Sequence, residues 1–512
     1  MKKTRVKNAK KNVIYGMATY ILLMLVTFLN RKVFLALLGD DVAGFQGLLQ
    51  NILSFLNLIE SGVGMAIMFS LYKPFAEDDK VQIKSAVTLY SKIYKVCGSI
   101  LIIAGIILTG FLHIFVKEQI PMVYAKICFL LYIADTSLTY FFSYKTCLLY
   151  ASENGYVISF WDFIFKFIRS VVQIIMLYIY KSFIIFIVIQ ILTNIEYLIV
   201  INYSTNKRFP WYKDIKADKV KGKKDIIKNI KALFIHKIGG FVVFSTDNLL
   251  ISYFLNFKVV ALYTNYNMII AFCQNFINKI FEGIAASIGN LLTEGDKEKS
   301  FSVFKKLFFF NFWIASFIGI CLYNAIDQVI ELWLGNRFLL DKSVLIVLLL
   351  NFYITAMRLC VDKFKESAGL YYEDRYAPIA ESIINLVFSI ILLKKFGLIG
   401  VFIGTLISNL SVIFWIKPKI VFNKVFNKSL SEYLIHYLKY MCYAVVPFIL
   451  TRITCRYVHV SNKFLDFLLN CILSVIIINF SYAIMFYKKE EFQYYKALLM
   501  KRLKRSKVRG ER

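Results

Sequence analysis

Apolar residues occur in long runs along almost the whole chain, each close to the ~20 residues that a helix needs to cross a bilayer. The first six lie at 13–38, 42–72, 90–115, 120–150, 156–180 and 183–201. A polar, lysine-rich stretch follows at 202–231, then runs at 232–256, 259–292, 307–330, 343–369, 376–393 and 398–416, and finally at 440–457 and 464–487. Backbone N–H and C=O groups inside lipid must pair within their own segment, so runs of this length predict helices. The predicted fold class is an all-α polytopic membrane protein with about 14 transmembrane helices. They form two six-helix lobes around a central cleft, plus two C-terminal helices.

The predicted divisions are a basic N-terminus (1–12), an N-terminal lobe (13–201), a basic linker (202–231), a C-terminal lobe (232–418), two additional helices (419–487) and a basic tail (488–512). The segment at 31–49 (RKVFLALLGDDVAGFQGLL) has the same plan as 248–269 (NLLISYFLNFKVVALYTNYNMI): an outgoing helix end, a tight turn, then a small and aromatic return. Two copies with an equal number of spans would be related by an axis along the membrane normal. The basic leader before the first run resembles a signal peptide, but the run is too long and lacks a small-residue cleavage site, so it is expected to stay as the first span.

Composition and charge sharpen this picture. The chain is 59% hydrophobic over 512 residues, which leaves little for a globular domain. Its 62 basic and 32 acidic residues would suggest nucleic-acid binding in a soluble protein. Here the lysines gather at 2–11, 207–231, 297–306, 417–428 and beyond 488, without the signatures of a nucleic-acid module. With both termini in the cytoplasm, the inside carries roughly four basic residues for each one outside, as the positive-inside rule requires. The basic tail suits anionic lipid. The nine cysteines are scattered singly and read as small apolar residues.

No HExxH, GxSxG or Walker sequence occurs, and the four histidines are isolated. The chain is therefore expected to be a transporter, not an enzyme, with neither cofactor nor metal. The informative residues are the ionisable ones inside spans, each costing about 2.5–3.5 kcal/mol at the bilayer centre unless it faces a cavity or a partner. Arg31 and Lys32 lie in the first run; Lys32 should snorkel, while Arg31 either snorkels or faces the cleft. Asp162, Lys166, Arg169 and Gln173 share one helical face; Asp162 and Lys166 can pair, leaving Arg169 uncompensated near mid-membrane. Arg358, Asp362, Lys365 and Glu366 share another face with Lys363 beside it, and read either as a ligand site or as a structural ion-pair network. Lys237, Asp247, Lys279 and Glu282 repeat the theme, Lys279 and Glu282 being placed to pair. Glu60 sits where Gly62 and Gly64 allow unwinding or close packing. Gly400 and Gly404 form a small packing face. The 33 tyrosines are expected mostly in interfacial belts.

Several short strings carry a family resemblance: LLG at 37–39, ESGVG at 60–64, SLYKP at 70–74, DNLLI at 247–251, YTNY at 263–266, SIGNL at 287–291, WLG at 333–335 and GVFIGT at 400–405. In order and spacing they resemble the Wzx-type polysaccharide repeat-unit flippases of bacteria, within the multidrug/oligosaccharidyl-lipid/polysaccharide (MOP) exporter superfamily. The resemblance implies a flippase that moves an undecaprenyl-diphosphate-linked oligosaccharide from the inner to the outer leaflet of the cytoplasmic membrane by alternating access. Its product would feed O-antigen, capsule or exopolysaccharide synthesis. Implied partners are the lipid-linked oligosaccharide, membrane lipids, a polysaccharide polymerase and glycosyltransferases. On this reading Arg31, Lys166, Arg169, Arg358 and Lys363 are candidates for binding the diphosphate, and Glu60, Asp247, Glu282, Asp362 and Glu366 for ion coupling or gating. A drug or organic-cation antiporter of the same superfamily and a membrane polysaccharide polymerase are the alternatives.

Overall fold

The computed structural model describes residues 2–60, 63–116, 120–152, 154–218, 227, 246–370, 372–498 and 500. Every regular element among the described residues is helical. In order they are α1 (Lys2–Leu56), a 3-10 turn (Asn57–Glu60), α2 (Val63–Ala76), α3 (Lys80–Phe111), α4 (Met122–Phe142), α5 (Thr146–Ala151), α6 (Gly155–Tyr180) and α7 (Phe183–Arg208). Then come α8 (Asp247–Phe254), α9 (Phe257–Thr293), α10 (Lys297–Leu334), α11 (Lys342–Ser367), α12 (Ala377–Phe396), α13 (Leu398–Ser408), α14 (Phe414–Val421), α15 (Leu430–Tyr457) and α16 (Lys463–Phe486). Among the described residues, 11 helices are long and apolar enough to cross a membrane. The chain is a multi-pass membrane protein.

The outside-in logic of a lipid solvent is visible on α16. Phe464, Ile472, Ile476, Phe480 and Ile484 are exposed, whereas Asp466, Asn470, Ser474 and Ser481 are buried. Apolar surface facing lipid costs nothing, and polar groups gain only by finding partners inside.

Two compact units make up the chain, Met1–Ala261 and Leu262–Arg512. The division falls inside α9. In the first unit α1 packs on α6, α6 on α7, and α3 on α4. The first two apolar runs join through Gly39, whose φ of 83° breaks helical geometry inside α1. The second run, expected as one span, stops being α-helical at Leu56 and passes through the 3-10 turn that ends at Glu60.

In the second unit α12 and α13 form a tight hairpin. A Cβ on Gly400 would lie 2.1 Å from the Leu392 carbonyl oxygen, and one on Gly404 would lie 2.5 Å from the Ser389 amide nitrogen. Only glycine permits this approach, as expected of a small-residue face. The helical path after Gly397 runs on to Phe426 through two π-turns, Asn409–Ile413 and Phe422–Phe426. Lys417, expected in a cytoplasmic loop, therefore lies within helix.

Candidate functional site

The first unit holds a polar cluster built on α1, α4, α6 and α7. Arg31 is buried, and its Nη1 donates to Gln46 Oε1 at 3.3 Å. This bond links the two arms of α1 across the Gly39 break. Gln46 Nε2 continues to Tyr132 Oη at 3.5 Å, tying the kink to α4. One turn beyond Tyr132, buried Asp135 accepts from Gln190 Nε2 at 2.7 Å and from Asn194 Nδ2 at 2.8 Å, both on α7.

The polar face predicted on α6 is present. Lys166 Nζ pairs with Asp162 Oδ2 at 2.8 Å. Gln173 is buried, accepts from Asn30 Nδ2 at 3.1 Å and donates to the Phe186 carbonyl at 2.9 Å. Arg169 stands between these groups, half-buried, within electrostatic reach of Asp135, Asp162 and Tyr132. It makes no hydrogen bond or ion pair among the described residues. Asp135 supplies a negative charge to this region that the sequence reading did not single out. Its own oxygens are already engaged by amides, so it lowers the cost of Arg169 without occupying the guanidinium.

Glu60 ends the 3-10 turn and accepts a short hydrogen bond from the Tyr94 hydroxyl. Tyr90 packs on Tyr94, and Tyr140 donates to Asn57 Oδ1 at 2.9 Å beside them. Asp247 is buried at the start of α8. Lys32 is exposed, as expected, and Lys237 lies outside the described residues.

The second unit holds its charges differently. Arg358 Nε donates to Asp362 Oδ2 at 3.3 Å and Nη1 to Asn409 Oδ1 at 3.1 Å. Lys417 Nζ takes the other Asp362 oxygen at 2.8 Å. Asn409 opens the first π-turn, whose wider winding carries its side chain toward α11. Lys365 pairs with Asp374, both buried, and Lys363 pairs with Glu366 at 2.7 Å. At the loop joining α11 to α12, Lys424 pairs with Glu373 at 2.8 Å, and this hydrogen bond holds the Glu373 carboxyl below its usual range. Glu282 is exposed on α9. Of the predicted residues, the structure thus groups Arg31, Lys166 and Arg169 in one unit and Arg358, Asp362, Lys363 and Glu366 in the other.

Between α10, α11 and α15 lies a pocket of about 450 Å³ lined by Ile320, Tyr323, Leu349, Tyr353, Met441 and Phe448 among others. Its walls are almost entirely apolar, which suits hydrocarbon better than sugar. Among the described residues no group of His, Cys, Asp and Glu is placed to hold a metal ion.

No protein-family model and no curated protein sequence matches the chain. Solved structures do. The lipid II flippase MurJ, in an inward closed conformation, matches with a TM-score of 0.63 at 14% identity, over 93% of this chain and 99% of its own. An inward-facing multidrug resistance MATE family transporter of the MOP superfamily matches at 0.58 and 15%, over 78% of this chain and 95% of its own. A mutant of the Vibrio cholerae MATE transporter VcmN matches at 0.57 and 15%, over 81% and 97%. At such identities the likeness is one of fold. The chain therefore has the polytopic helical fold that MurJ shares with MATE transporters of the MOP superfamily.

Proposed function

We propose that this protein is a flippase for a lipid-linked oligosaccharide, carrying a polyprenyl-diphosphate-bound repeat unit from the inner to the outer leaflet of the cytoplasmic membrane. The observation that carries the reading is the extent of the MurJ likeness. It takes in 93% of this chain, whereas the MATE likenesses stop near four-fifths.

The residues fit the chemistry. A diphosphate needs a cation that is not already consumed, and Arg169 offers its guanidinium without breaking an ion pair. A polyprenyl chain needs an apolar slot, which the pocket beside α15 supplies. Moving an anion out of a negative interior gains about 2.3 kcal/mol per charge per 100 mV, so the membrane potential favours export without ATP. The polymer served is O-antigen, capsule or exopolysaccharide, and its polymerase and glycosyltransferases would act beside this protein.

The MATE likenesses keep an organic-cation antiporter as the second reading. Deleting the gene in its native bacterium separates the two. Loss of surface polysaccharide with lipid-linked repeat units retained in the inner leaflet is the expected result. Normal surface polymer together with new drug sensitivity would select the antiporter.

A further inference from the structure

Glu381, in the first turns of α12, is 5% exposed, and its Oε1 has no hydrogen-bond partner among the described residues. Its orientation follows from its neighbours. Ala377 and Ile384, four residues before and three after, pack with Val412, Ile413 and Ile416. At this helical spacing Glu381 shares their face and looks toward the π-turn that begins at Asn409 and the helix that carries Lys417.

The charged groups that face it are Arg358 and Asp362 from α11 and Lys417 from α14. Lys365, the next cation along α11, is taken up by Asp374. Arg358 and Lys417 thus share one directly bonded carboxylate, that of Asp362. Two cations and one anion leave a single positive charge in excess in a buried place. An ionised Glu381 would cancel it, and a protonated Glu381 would leave it standing.

We propose that Glu381 is a proton-binding site. Protonated, it is a neutral buried side chain; ionised, it is the counter-ion that completes the Arg358–Asp362–Lys417 network. Only an O–H bond is made or broken, and the proton is exchanged with water. Each protonation or deprotonation changes the charge of the network by one unit at the π-turn, where the helix is already wider and underwound. The inference rests on the packing within the second unit and not on the identity of the substrate.

Infrared pH-difference spectra of the purified full chain test it without any transport assay. The wild type should show a protonated-carboxyl band that titrates, and Glu381→Gln should abolish that band while the protein elutes as a folded monodisperse species. Lys417→Met, which removes one facing cation, should let the band persist to higher pH by about one unit or more. This second variant carries the test if Glu381→Gln fails to fold. A band that survives Glu381→Gln, or a titration midpoint that Lys417→Met leaves in place, overturns the proposal.

Discussion

Two arginines within spans, half-buried Arg169 in the first unit and buried Arg358 in the second, face the same problem of holding a charge away from water, and they meet it in opposite ways. Arg358 is tied directly to Asp362 and Asn409, with Lys417 on the far side of the same carboxylate. Arg169 has no direct partner among the described residues, and Asp135, an acid within its electrostatic reach, is held by the amides of Gln190 and Asn194. A consumed cation stabilises the fold, and an available one can take a ligand. On the proposed function, the charges of the second unit serve structure and charge balance, and Arg169 in the first is the candidate for anion contact.

The largest expected effect falls on the consumed side. Asp362→Ala leaves Arg358 and Lys417 facing each other without their shared carboxylate. It should cost about 3–5 kcal/mol, read as a lowered melting temperature and a poor folded yield in detergent. An unchanged melt would dissolve the contrast.

Asp135→Ala removes the acceptor of two amides in the first unit and should cost less, about 1–3 kcal/mol by the same melt. If it proved as costly as the Asp362 variant, the first unit would also depend on an ionic core.

Gln46→Leu cuts the link across the Gly39 break and should cost about 1 kcal/mol, with faster hydrogen exchange on both arms of α1. The smallest effect belongs to Lys424→Ala. Its partner Glu373 has a lowered carboxyl pKa, so the pair contributes above the ordinary carboxylate range and is lost as the pH falls through the lowered value. Lys424 is half exposed, so the loss at neutral pH should be a few tenths of a kcal/mol, absent in acid and at high salt.

Much of the fold was legible because span length and helical period are local properties. The apolar runs foretold the helices, and the spacing of Asp162, Lys166, Arg169 and Gln173 foretold the inward face of α6. The Arg358 and Asp362 pair, four residues apart, was legible for the same reason. Lys417 was not, because its partner lies 55 residues away and the apolar window ends just before it. Asp135 was passed over as a lone acid in an apolar run, since only the fold brings Gln190 and Asn194 to it. Glu381 was missed in the same way: nothing near it in sequence marks it, and its significance depends on charges carried by two other helices. The break at Glu60 was half visible, as two nearby glycines permitted it without requiring it.

The most direct measurement is the leaflet distribution of the lipid-linked repeat unit in native cells whose only copy of the gene encodes Arg169→Ala, expressed and folded at the wild-type level. The account predicts retention of the repeat unit in the inner leaflet with at least a tenfold loss of outward movement, the equivalent of about 1.4 kcal/mol in the transition state. Outward movement at the wild-type rate from that variant would contradict it.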